Sequence, residues 1–206
     1  MTARPHTLPA LAAAALLAAA PGGALAASSA SVEACTLAGP SGEYSVRVRN
    51  VGKDTIARVE VAGVRPNASA HGTNTISVQL PAIPPGRYQT AILARRGESA
   101  ALVSLRTYVQ RQGAQAAEED IYAGRVAHVT PGNPGPGVLY TLAPLAVRGW
   151  TVAYPSTQQP VLAHGASVLI FYPARAKPQS RPEAGRSPSR IAALPACGQP
   201  APAPRR

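Results

Sequence analysis

From residue 44 onward the chain alternates between apolar and polar positions. Tyr44, Val46 and Val48 are interleaved with Ser45, Arg47 and Arg49, the period of a strand with one dry face and one wet face. Asn50-Val51-Gly52-Lys53-Asp54 then supplies turn chemistry, because Asn and Gly tolerate positive φ. Ala57, Val59 and Val61 follow on one side, with Arg58 and Glu60 on the other, so the two runs together predict a β-hairpin. The alternation returns at Ile76, Val78 and Leu80. Pro84-Pro85-Gly86 predicts a turn, and Arg87–Ala94 another strand. Leu102–Gln110, rich in Val, Thr and Tyr, reads as a strand. Gln112–Asp120 is the one place where the pattern predicts a short helix. Ile121–Thr130, Val138–Leu142, Trp150–Tyr154 and Ser167–Tyr172 complete nine predicted strands. Val168-Leu169-Ile170-Phe171-Tyr172 is continuously apolar, as a strand buried on both faces would be. Strands at this spacing, broken by turn residues, predict an all-β, immunoglobulin-like β-sandwich.

The N-terminal stretch follows a different pattern. Arg4 is followed by a Leu/Ala run from Leu8 to Ala20, interrupted at Pro9. Pro21-Gly22-Gly23 then breaks the helix, and Ala24-Leu25-Ala26 supplies the small-x-small site that signal peptidase requires. Residues 1–26 therefore predict a cleaved export signal, cut after Ala26 or one residue later. The run is shorter than the roughly 20 residues of a spanning helix, and no later run reaches that length, so no transmembrane segment is expected. The expected location is the periplasm or the secreted fraction. The signal lacks a twin-arginine pair, which favours export unfolded and before any cofactor binds; no cofactor is expected.

Export changes the meaning of the cysteines. Cys35 and Cys197 stand near the two ends of the exported chain, and an even count in an oxidising compartment predicts one disulfide. Val32-Glu33-Ala34-Cys35 also has the outline of a lipid-attachment box. Glu33 is wrong for that box, however, and Cys35 lies far beyond the apolar run.

Composition bounds the rest. Aromatic residues are 4% of the chain, so its core is built from small side chains and its stabilisation per residue is modest. Net charge is +11, and it is unevenly placed. Residues 27–172 carry 12 basic and 8 acidic side chains; residues 173–206 carry 7 basic side chains and Glu183 alone. Outside the cytoplasm such a balance matches anionic lipid headgroups or envelope polysaccharide better than nucleic acid. Arg outnumbers Lys 18 to 2, so a coding bias toward Arg competes with a selected anion site as its cause. The domain plan is a signal peptide at 1–26, a β-sandwich at 27–172, and a Pro/Arg-rich tail at 173–206. Residues 174–189 of that tail are expected to be disordered or to wrap the surface, pinned back by Cys197.

Two resemblances follow from quoted residues. Tyr44-Ser45-Val46-Arg47-Val48-Arg49-Asn50-Val51-Gly52, with Ile83-Pro84-Pro85-Gly86, resembles the V-x-V-x-N-x-G … L-x-P-G rhythm of immunoglobulin-like surface modules of the CARDB type. It covers about a quarter of the chain, from Glu43 to Ala94. Such modules imply binding without catalysis. Val168–Pro173 is similar to the apolar strand ending in Phe-Tyr-x-Pro of periplasmic pilus chaperones, which implies lending a strand to a client's open edge. Its mark would be an exposed edge with a basic anchor near Arg47 and Arg49.

Chemistry-bearing motifs are few. No Gly-x-Ser-x-Gly elbow occurs, and both cysteines are committed to the bridge. A hydrolase would need a site assembled from distant loops near Pro131–Gly137. His71, His128 and His164 are widely spaced, without a His-x-x-x-His or Cys-x-x-Cys pair. Glu118-Glu119-Asp120 lacks the alternate spacing of a calcium loop and reads as a solvated acidic loop. The expectation is a non-enzymatic module that binds a protein or an anionic envelope surface. The candidate contact residues are Tyr140, Trp150 and Tyr154, from a stretch holding six of the nine aromatics, and Arg175, Arg181, Arg186 and Arg190 of the tail. Those aromatics equally suit a packed core.

Overall fold

The computed structural model describes residues 31–39, 43–67, 72–95, 97–131, 137–145, 149–156, 162–179, 181–183 and 185–198. The export signal and the loop core at 132–136 lie outside the described residues, as does His71. Among the described residues eleven strands run in chain order: β1 (Val32–Ala38), β2 (Tyr44–Asn50), β3 (Ile56–Asn67), β4 (Gly72–Leu80), β5 (Tyr88–Ala94), β6 (Ala101–Arg111), β7 (Ala114–Pro131), β8 (Val138–Pro144), β9 (Val152–Ser156), β10 (Ser167–Pro173) and β11 (Arg190–Ala193). The described residues contain no helix, and the strands form two packed antiparallel sheets. The all-β sandwich expected from the alternation is what the chain builds. The small sheet has the order β1-β2-β5; the large sheet has the order β11-β10-β7-β6-β3-β4, with β8 on β7 and β9 on β8.

The alternating positions meet between the sheets. Val46, Val48, Ala91 and Leu93 of the small sheet are buried against Val59, Val61, Leu105, Ile121 and Phe171 of the large one. A second apolar cluster lies on the other face of the large sheet, where Tyr122, Tyr140, Leu142, Ile170 and Tyr172 pack with Leu162. β10 serves both clusters: Leu169 and Phe171 face the first, and Val168, Ile170 and Tyr172 the second. This is why five consecutive apolar residues are tolerated there.

The turn at Asn50–Asp54 is present, but it does not close a hairpin. β2 pairs with β1 and β5 in the small sheet, whereas β3 pairs with β4 and β6 in the large one. The turn is an arch between sheets, and Val46/Val48 and Val59/Val61 face one core from opposite sides. Buried Asn50 holds the arch. Its Nδ2 donates to the carbonyls of Asp54 and Ile83, both at 2.8 Å, and its Oδ1 accepts from the Gly52 amide at 2.9 Å.

The helix expected at 112–120 is instead a hairpin and a strand. Gln112 and Gly113 have φ of 49° and 83°, the left-handed pair of a type I′ turn, and β7 begins at Ala114 in register with Arg111. The acidic run Glu118–Asp120 is therefore strand rather than solvated loop, and each carboxylate is paired with an arginine.

The two ends of the fold are joined by the Cys35–Cys197 disulfide, which links positions 162 apart. That bond leaves no thiol on Cys35 for a lipid, and it belongs to an oxidising, non-cytoplasmic setting. Cys197 donates its amide to the Thr36 carbonyl at 2.7 Å, and Thr36 donates to the Pro195 carbonyl at 2.9 Å, so the C-terminal segment covers part of the β1 edge. Between β10 and β11 the described chain is irregular and wraps the large sheet, with Pro182 and Pro188 buried. Among the described residues no helix is long and apolar enough to cross a membrane.

Candidate functional site

Burial of Val46, Val48, Ala91 and Leu93 turns their neighbours outward. Register then places Glu33, Arg49 and Tyr88 in one row across the small sheet, and Cys35, Arg47 and Thr90 in the next. Ile92 lies beyond them on β5 and is 56% exposed; Tyr88 is 55% exposed. The Arg47 guanidinium lies over the Tyr88 ring, 4.5 Å from its centroid, and its Nε is buried without a hydrogen-bond partner. A groove of 630 Å³ runs along this face, between Arg47, Arg49 and Tyr88 on one side and Ala192, Ala193 and Pro195 on the other. Glu33 is the carboxylate in its lining, against two guanidiniums. Stacked arginine and exposed tyrosine are the residue types that anchor protein interfaces, because they offer large rigid area with a polar tip. Along the chain, Arg47 and Arg49 stand out only as the polar positions of an alternating run, and Tyr88 and Ile92 carry no signal of their own. Only the register of the three strands gathers them.

The residues singled out from the sequence are dispersed. Tyr140 is buried in the second cluster, its hydroxyl accepting from the Leu162 amide at 3.5 Å. Tyr154 stands opposite it in register and is half-buried. Trp150 is half-buried, with the Arg181 guanidinium 5.8 Å from its ring. Arg175 pairs with Glu183. Arg186 lies over the Tyr172 ring and donates to the Pro173 carbonyl at 2.7 Å. Arg190 lies 3.4 Å from the Phe171 ring centroid and pairs with Glu119 at 3.4 Å. Tail arginines 175, 186 and 190 thus fasten the wrapping segment to the sheet, and much of their charge is answered inside the fold.

Their anchor is a buried pair that the sequence did not mark. Arg106 of β6 donates to Asp120 of β7 at 3.0 Å, and each residue is 6% exposed. Asp120 accepts from the Arg175 amide through its other oxygen at 3.1 Å, and Arg106 donates to the Arg175 carbonyl. Burial pushes the Asp120 carboxyl above its ordinary value; the Arg175 amide and the neighbouring guanidiniums pull the other way without cancelling it. Burial likewise raises Glu119, and it pushes the Tyr122 and Tyr172 hydroxyls up to about 12. Tyr172 Oη has no partner and faces a void of only 10 Å³, room for about one water.

His128 and His164 come together, with ring centroids 6.1 Å apart on the exposed surface. Among the described residues no group of three or more His, Cys, Asp or Glu is placed to hold a metal. Arg47 and Arg49 lie on β2, the central strand of the small sheet, with β1 and β5 on either side of it. No protein-family model matches the chain, and no curated protein matches it.

Proposed function

We propose that this chain is an exported, non-enzymatic binding module of the periplasm or the secreted fraction. It docks a partner bearing acidic groups on the outer face of its small sheet. The observation that carries the reading is the groove beside Tyr88, where Arg47 stacks on an exposed ring and Arg49 stands next to both. A carboxylate or phosphate of the partner meets Arg47 and Arg49, while Tyr88 and Ile92 supply apolar contact area. This site replaces the tail as the preferred anion contact, because Arg175, Arg186 and Arg190 already have partners.

Affinity capture from envelope extract by the mature chain, at low and high salt, tests the proposal. Capture that weakens at high salt, and falls about tenfold or more in the Arg49→Glu/Tyr88→Ala variant, is the expected result. Capture unchanged in that variant but lost on Arg181→Glu would move the site to Trp150. Protein extract, anionic vesicles and envelope polysaccharide are presented separately, so the arms distinguish the sources of the acidic group.

A further inference from the structure

His128 and His164 are far apart in the chain, and the fold sets their ring centroids 6.1 Å apart, tilted by 47°. The backbone fixes this approach. Ala163-His164-Gly165-Ala166 is a turn, closed by the Ala166 amide donating to the Ala163 carbonyl at 3.1 Å. Gly165 has a φ of 80°, which glycine adopts without steric cost. The turn is fastened to β7 at a single residue: Gly165 donates its amide to the Val126 carbonyl at 2.8 Å, and Val126 donates to the Ala166 carbonyl at 3.0 Å. β7 itself is bulged between Val126 and His128. Val126 and Val129 both pack in the second apolar cluster. In a regular strand His128 would share the face of Val126; the extra residue turns it to the opposite side.

The donor set selects the ligand. Residues 121–173 contain no Asp, Glu, Cys or Met, and among the described residues no third His, Cys, Asp or Glu joins the pair. Ca2+ and Mg2+ require oxygen ligands, and two imidazoles offer them none. Imidazole nitrogen suits Cu2+, Ni2+ and Zn2+, with Cu2+ the highest in affinity. With metal–nitrogen bonds of about 2.0–2.1 Å, two imidazoles on one ion have ring centres roughly 4.5–6.5 Å apart, from the cis to the trans arrangement. The observed 6.1 Å lies inside that span. Both side chains are exposed, so their rings are free to turn a nitrogen toward a shared ion, and water can reach its other positions. Arg125, exposed on the same strand, adds positive charge, so coordinate bonds rather than general attraction must hold a cation here.

We propose that His128 and His164 form a two-imidazole site for a divalent transition-metal ion, Cu2+ ahead of Zn2+, with water on the remaining positions. The site lies on the large sheet, and it is independent of the groove beside Tyr88.

The test is titration calorimetry of the mature chain with Cu2+, Zn2+, Ca2+ and Mg2+ in a non-chelating buffer, together with NMR of the histidine rings. Cu2+ is expected to bind more tightly than Zn2+ and to broaden the ring signals of His128 and His164 together. Ca2+ and Mg2+ should leave those signals unchanged. His128→Ala and His164→Ala should each weaken Cu2+ binding about tenfold or more, because the second bond of a chelate forms at a high effective concentration. His71→Ala and Arg49→Glu should leave it as in the parent. Circular dichroism checks that each variant is folded, and one that fails is replaced by the corresponding Gln variant. The proposal is overturned if Cu2+ does not bind, if either single variant holds Cu2+ as tightly as the parent, or if Ca2+ displaces Cu2+ at equal concentration.

Discussion

Arg106 and Asp120 stand directly opposite each other on neighbouring strands, with 3.0 Å between Nη1 and Oδ1, and neither is more than 6% exposed. Two charges taken this far from water are held by each other and by the backbone of Arg175. Removing one partner leaves the other buried and unpaired. Asp120→Ala is therefore expected to destabilise the fold by about 3–5 kcal/mol, while Arg106→Met/Asp120→Leu together cost much less. Urea unfolding of both single variants and the double variant measures the difference. A double variant that loses the sum of the two single losses would show that the pair is not coupled.

The pH dependence carries a definite sign. Burial raises the carboxyls of both Asp120 and Glu119 in the folded chain. At a pH just above the ordinary carboxylate value, the folded chain then holds protons that the unfolded chain has released. Stability from these groups is full below the unfolded value and is lost as pH rises through the raised, folded value. On acidification from neutral toward about pH 4, the parent should gain stability relative to Glu119→Gln/Asp120→Asn, in which both titrations are absent. Paired melting curves across that window give the difference; a relative loss would mean that the arginine contacts outweigh burial.

Gly124 is closed in on two sides. β8 and β10 both pair with it, and a Cβ there would come within 2.8 Å of Ile170 Cδ1 and 3.0 Å of the Ala143 carbonyl oxygen. Gly124→Val should cost about 2–3 kcal/mol through overpacking at the β8–β10 junction. Gly113 provides the contrast: a Cβ there meets open space, but φ is +83°, so Gly113→Ala should cost about 1–2 kcal/mol through backbone strain alone. Chemical denaturation of the two variants tests both numbers. A Gly124→Val protein as stable as the parent would mean that β8 can move aside.

The Cys35–Cys197 bridge closes nearly the whole described chain, across 162 positions. In the chain-entropy account a loop of that size contributes about 5 kcal/mol by restricting the unfolded state. Cys35→Ser/Cys197→Ser should shift the urea midpoint strongly downward, and reductant should do the same to the parent but not to the variant. Equal midpoints with and without reductant would place the stability of the fold elsewhere, in the Thr36–Pro195 and Cys197–Thr36 backbone bonds.

Much of the fold is legible along the chain because strand burial has a period of two. Val46 and Val48 against Arg47 and Arg49 state which side of β2 is dry, and Val168–Tyr172 states that β10 is dry on both sides. The Asn50 turn and the pairing of two distant cysteines are likewise local or arithmetical signals. The weak places have physical reasons. The alternation of β1 is blurred by small residues, and β11 has only four residues, Arg190–Ala193. Alanines 114, 116 and 117 carry helix propensity, but the Gln112-Gly113 turn and pairing with β6 override it.

The sequence by itself located nine of the eleven described strands, the dry and wet faces of those that alternate, and the cysteine bridge, since each depends on near neighbours or on a count of two. Tertiary structure alone decided that the Asn50–Asp54 turn crosses between sheets, because a hairpin and an arch bury the same alternating residues. It also decided which outward side chains meet. Arg49 reaches the Tyr88 row only through the β2–β5 register, and Arg106 finds Asp120 only through the β6–β7 register. The tail arginines became fasteners rather than a free basic surface, because the wrapping segment lies against the carboxylates of β7. Alternation along a strand fixes which face a side chain occupies; the neighbours on that face come from chain segments far away in sequence.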